Sequence, residues 1–148
     1  MRSTLAGREA GDTPLVPEGD TVRILVVADL HYSLPQFDWT LAQAGRYDLL
    51  IVAGDLLDIS GFVDPGSQIV VVLKYLKRLA GEVPMIVCSG NHDLDATNAA
   101  GEKYAGWLSR VRRLGIAVDG DTLTVGDLLV TVCPWWDGPA SRDAIGAQ

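Results

Sequence analysis

The chain has 148 residues, of which 48% are hydrophobic and 21% charged, with a formal net charge of −7. That length holds one domain with a real core, and the composition excludes a disordered chain. The acidic balance excludes a nucleic-acid surface as the main business of the domain, because phosphate contacts need clustered Lys and Arg. The basic cluster Arg110, Arg112 and Arg113 reads as a solvated helix face.

Residues 1 to 20 are polar and rich in Gly and Pro, and read as a flexible leader without a signal-peptide core. No later stretch approaches the ~20 apolar residues of a membrane span, so a cytoplasmic protein with no membrane partner is expected. Val22 to Ala28 is a short, nearly continuous apolar run with β-branched residues, which suits a strand buried on both faces. Asp48 to Gly54 and Val83 to Gly90 repeat the type. Helices are expected between them, over Pro35 to Arg46 and over Ser67 to Ala80, the second with Ser67 as N-cap.

Asn98 to Leu114 gives the cleanest helical pattern, with Tyr104, Trp107, Leu108, Val111 and Leu114 on one stripe. Two strands around a turn at Gly126-Asp127 follow. This order implies an α/β domain with a mostly parallel sheet, flanking helices and a C-terminal hairpin. Cys88 and Cys133 each sit in an apolar strand-like run and read as buried thiols in a reduced compartment, with a single disulfide as the alternative.

The polar residues at the three strand exits carry the chemistry. They are Asp29-Leu30-His31, Gly54-Asp55-Leu56-Leu57-Asp58 and Gly90-Asn91-His92-Asp93. Open parallel sheets bind ligands beyond the carboxyl ends of their strands, so these side chains converge on one edge and invite a cation. An extended backbone would point Asp29 and His31 the same way, letting both grip one metal. Gly54 and Gly90 would let the chain turn sharply as it leaves each strand. Asp55 could bridge two metals through its two oxygens, and Asn91 offers a neutral carbonyl oxygen. Mixed oxygen and nitrogen ligands suit Mn, Fe or Zn without choosing among them. Taken singly, each motif is an ordinary loop pair, helix cap or tight turn. Their order, each directly after a strand, favours a metal site.

In these three motifs the sequence resembles the calcineurin-like metallophosphoesterases, whose N-terminal signatures are D-x-H, G-D-x-x-D and G-N-H-[DE]. The resemblance covers roughly residues 22 to 135. It implies the N-terminal half of an αββα sandwich, with residues 21–148 as a phosphoesterase domain cut short on its C-terminal side. It further implies two divalent or trivalent metal ions: Asp29 and His31 on the first, Asp55 bridging, and Asn91 on the second. His92 would be the general acid, oriented by Asp93, and Asp58 would orient a neighbour without touching metal. A bridging hydroxide would attack phosphorus in line while His92 protonates the departing alkoxide.

The Ser/Thr protein phosphatases of the family read Gly-Asp-x-Val-Asp-Arg-Gly. Here Ile59 and Ser60 follow Asp58, which favours a small phosphate ester as substrate. Trp135 and Trp136 either wall that pocket or pack loops together. The family's later motifs supply further metal-binding histidines, whereas His31 and His92 are the only histidines present. The second metal site is therefore incomplete, and a non-catalytic module with weak metal binding is the competing reading. A dinucleotide-binding turn and a serine-hydrolase elbow are both missing from the sequence.

Overall fold

The computed structural model describes Leu15, Val16 and residues 21–147; the leader expected over residues 1 to 20 otherwise lies outside the described residues. Four parallel strands form the central sheet in the order β1-β2-β3-β6. They are β1 (Ile24–Val27), β2 (Leu49–Ala53), β3 (Met85–Cys88) and β6 (Ala117–Val118). The first three fall inside the expected runs. The two-residue β6, paired to β3 through Ile86–Ala117 and Val87–Val118, is too short to show in a hydropathy pattern.

Parallel neighbours need crossovers, and helices α1 (Leu34–Ala44) and α2 (Pro65–Glu82) supply the first two. Both pack on one face of the sheet. Phe37, Ala44, Val72, Leu76 and Leu79 meet Leu25, Leu50, Val52 and Val87 there in the larger core. The N-cap of α2 lies three residues before Ser67: it is Asp64, accepting from Ser67 N at 3.0 Å, and the helix starts at Pro65. An aspartate before a proline satisfies an orphan donor and presets φ, so the cap falls there.

The helix expected over Asn98 to Leu114 is replaced along its first half. Ala96–Thr97 (β4) pairs antiparallel with Lys103–Tyr104 (β5), and only Leu108–Arg112 is helical (α3). The reason is local. Asn98 Oδ1 accepts from Ala100 N (2.9 Å) and Glu102 N (3.0 Å), and Gly101 takes φ +81°, which together close a turn that a helix cannot contain. The apolar stripe is genuine only from Trp107 onward, where Trp107, Leu108 and Val111 are buried and Tyr104 is exposed. On α3, Arg110 and Arg113 are exposed as expected, while Arg112 binds Asp121 (3.0 Å) and Asp119 O (2.9 Å).

Strands β7 (Thr122–Val125) and β8 (Leu128–Thr131) form the expected hairpin around Gly126-Asp127, with Gly126 at φ +55°. It packs on the other face of the sheet in a smaller core of Val125 and Val132 with Leu49, Ile86 and Val16. This cover reaches β2, β3 and β6 but stops short of β1. Strand β1 is therefore an edge strand buried on one face only, not on both, with Ile24 and Val26 exposed at 41% and 59%. The cysteines are both free thiols as expected, but neither is fully buried: Cys88 is half-buried and Cys133 exposed. Burial pushes the Cys88 thiol up to about 11.

Two carboxylates tie the remaining pieces. Asp119, at the exit of β6, accepts from Ser89 N at 2.8 Å. Glu102 accepts from Ala140 N (2.8 Å), Ser141 N (2.7 Å) and the Ser141 hydroxyl, and so caps the last helix, α4 (Pro139–Gly146). The Ser141 hydroxyl and those N–H donors hold the Glu102 carboxyl below its usual range. This stabilisation is present above the ordinary glutamate value and lost as pH falls through the depressed folded one. Glu102→Ala is expected to speed amide exchange over residues 139–146 while leaving α1 and α2 protected; unchanged exchange in α4 would contradict the cap. Asp119 has the opposite sign, since burial raises its carboxyl above the usual range. Its contribution is present at low pH and lost as pH rises through the folded value. In urea unfolding from about pH 4 to 7, Asp119→Asn is expected to gain stability relative to wild type as pH rises; a pH-independent difference would rule this out.

Candidate metal centre

The exits of β1 and β2 are stitched together by backbone hydrogen bonds. Asp29 N donates to Gly54 O (3.2 Å), His31 N to Asp55 O (2.9 Å) and Tyr32 N to Leu56 O (2.9 Å). Asp29, His31, Tyr32 and Asp55 all have positive φ, between 42° and 56°. Left-handed backbone is unusual for residues with a Cβ and concentrates where surrounding structure enforces it for function. The extended Asp29-x-His31 backbone expected from the sequence is thus corrected. The two side chains converge because the chain coils left-handed after β1, not because alternate residues of a strand share a face.

The glycines act in two different ways. Gly54 takes φ +85°, and a Cβ there would also stand 2.8 Å from Gly90 N. Gly90 has φ −109° and ψ −177°, ordinary extended backbone, so it does not supply the sharp turn expected of it. Its lack of a side chain matters because a Cβ would fall 2.1 Å from Asp55 Oδ1. The second and third motifs touch backbone to backbone.

One ligand atom from each of Asp29, His31 and Asp55 lies within 4.8 Å of the others. His31 Nε2 is 3.7 Å from Asp29 Oδ1, and His31 Nδ1 lies 3.4 Å from Leu57 O. A carbonyl can only accept, so the proton sits on Nδ1 and leaves the Nε2 lone pair for a cation. Two carboxylates and one imidazole so disposed fit a divalent metal ion.

Asn91 opens the single 3₁₀ turn Asn91–Asp93 and is exposed. His92 packs its ring edge-on to His31, 4.5 Å between centroids, and its backbone N–H donates to Asp55 Oδ1 at 2.9 Å. Asp58 Oδ1 accepts from Ser60 N at 2.8 Å.

Asp93 is fully buried, and its carboxylate is taken up by backbone. Oδ1 accepts from Leu56 N (3.0 Å) and Leu57 N (3.1 Å), and Oδ2 from Gly90 N (2.8 Å). Burial pushes this carboxyl up to about 6 against the pull of those three donors. The group that lies against His92 Nδ1 is instead Ile59 N, at 3.5 Å.

Two further residues at the site escape sequence reasoning. Trp107 Nε1 donates to Asp93 O at 3.0 Å. Gln68, buried in α2, holds the loop after Asp58. Its signal was available: it is a polar residue on the same helical stripe as Val72, Leu76 and Leu79.

A parallel sheet with two carboxylates and an imidazole gathered at its strand exits defines an α/β metal-binding domain. The calcineurin-like phosphoesterase family matches residues 22–132, and the chain belongs to that family. Its members are in general hydrolases of phosphate esters that use divalent metals. No protein among the curated sequences matches the chain.

The clamp role of Asp93 separates stability from metal binding. Asp93→Ala leaves three buried N–H groups without an acceptor and is expected to cost at least about 3 kcal/mol in urea unfolding. Asp29→Ala, at an exposed position, is expected to weaken metal binding with little change in the unfolding midpoint. Equal midpoints for the two variants would remove the distinction.

Proposed function

We propose that the chain is a metal-dependent phosphoesterase acting on a small phosphate mono- or diester. The observation that carries this reading is the Asp29, His31 and Asp55 cluster, whose ligand atoms lie within 4.8 Å on two of the three family motifs. Asp29 and His31 would hold the first cation, Asp55 would contribute to both, and Asn91 would add a carbonyl oxygen to the second. Bound Mn, Fe or Zn supplies Lewis acidity toward the phosphoryl oxygens and an activated water.

The protein's own groups then position and protonate. His92, set edge-on against His31, donates a proton to the leaving oxygen. Asp93 acts through backbone, holding Gly90 and the Leu56-Leu57 amides in place, and is a positioning residue. The net charge of −7 disfavours a nucleic-acid partner. Among the described residues no helix is long and apolar enough to cross a membrane.

A second reading is a non-catalytic module with weak metal binding, favoured by the cluster itself: Asp29, His31 and Asp55 supply three ligand atoms for one cation, while Asn91 stands exposed outside that group. With Mn²⁺ and p-nitrophenyl phosphate or its bis ester, the purified chain is expected to turn over substrate. His92→Ala is expected to lower the rate by about a hundredfold or more. Metal binding without His92-dependent turnover would establish the second reading instead.

A further inference from the structure

Two imidazole rings, His31 and His92, meet edge-on at the site. A neutral imidazole carries one N–H, on either nitrogen, and a ring free in water exchanges between the two forms. Here each ring faces a backbone group of the same short segment, and the two groups have opposite polarity. Leu57 O, 3.4 Å from His31 Nδ1, can only accept. Ile59 N, 3.5 Å from His92 Nδ1, can only donate. The first contact keeps the His31 proton on Nδ1. The second requires a lone pair on His92 Nδ1 and so keeps that ring's proton on Nε2. Asp58 lies between the two backbone groups, and its Oδ1 accepts from Ser60 N at 2.8 Å.

The direction of both backbone groups is set from the core. A trans peptide is planar, and its C=O and N–H point in opposite directions. Leu57 O therefore shares a plane with Asp58 N, and Ile59 N shares one with Asp58 O. Gln68, 1% exposed, holds both planes by their far ends. Its Oε1 accepts from Asp58 N (2.8 Å) and its Nε2 donates to Asp58 O (2.8 Å). Nε2 also donates to Val63 O (2.7 Å), so the amide has only one orientation that satisfies all three partners. We propose that Gln68 is a positioning residue that gives the two histidines opposite tautomers. His31 keeps a bare Nε2 for the cation, and His92 keeps an Nε2–H, on the far side of its ring from the loop, for the leaving oxygen. The consequence for turnover rests on the phosphoesterase reading; the tautomers do not.

The test is a ¹⁵N spectrum of the full chain labelled at histidine, which shows these two rings alone because the sequence has no other. At about pH 8, where an ordinary imidazole is neutral, a protonated Nδ1 is expected for His31 and a protonated Nε2 for His92. The same tautomer on both rings, or a mixture on either, overturns the assignment. Ile59→Pro, at an exposed position, deletes the N–H that faces His92. It is expected to turn that ring to a mixture while His31 keeps its form; an unmoved His92 overturns the assignment. Gln68→Met keeps the length and loses the amide, and is expected to turn both rings to mixtures. Unchanged tautomers in a folded Gln68→Met overturn its role, and should that variant not fold, Ile59→Pro decides. In turnover, Ile59→Pro is expected to lower kcat for phenyl phosphate by about tenfold or more at little-changed KM. The loss is expected to be smaller for p-nitrophenyl phosphate, whose phenolate leaves with less help from a proton. An equal loss on both esters overturns the link to the leaving oxygen. Opposite tautomers without any turnover uphold the tautomer assignment and overturn the phosphoesterase reading alone.

Discussion

Asp93 places one buried carboxylate between the exits of β2 and β3, and three backbone N–H groups from the two exits point into it. Everything functional in the chain is referred to that joint. Loops at the end of a parallel sheet have no reason to hold a mutual geometry, because each is anchored only to its own strand. A carboxylate that accepts from both converts two loops into one body. Its burial is costly for a charge, which is why its carboxyl rises to about 6 even with three donors. Trp107 closes the far side by donating to Asp93 O, so the short α3 is tied into the same joint.

The joint works only because the backbones can approach. Gly54 and Gly90 lie in contact, with no room for a Cβ on either. That proximity brings Asp55 Oδ1 to the N–H of His92 and sets His92 against His31. The β1 exit then lies along residues 54–56 through three backbone hydrogen bonds. A single added methyl at Gly90 would push apart the groups that hold Asp55, so steric emptiness at that position is as much a part of the site as the ligands.

How much of this was legible in the sequence divides along physical lines. Continuous apolar runs mark strands of a parallel sheet well, so the strand exits and the chemistry on them could be placed from residues alone. Backbone conformation at those exits could not. Asp29 and His31 converge through left-handed φ values imposed by neighbouring backbone, and nothing in a three-residue motif encodes that. The helix expected over Asn98 to Leu114 failed because Asn98, Gly101 and Glu102 form a turn upstream of the stripe, which is buried only from Trp107 onward. The one-sided burial of β1 failed for another reason: apolar composition reports a preference for burial, not whether the fold supplies a cover for Ile24 and Val26.

Positive φ at Asp29, His31 and Asp55 has a further consequence. Each such residue costs of order 1 kcal/mol or more, and a fourth, Tyr32, adds to it. A metal-free protein relaxes such strain unless other contacts forbid it. Here the Asp93 joint and the three hydrogen bonds from residues 29–32 to residues 54–56 do forbid it. The three candidate ligand groups are therefore held within reach of one another by contacts of the fold itself, and a cation would meet a site whose ordering is already offset by folding.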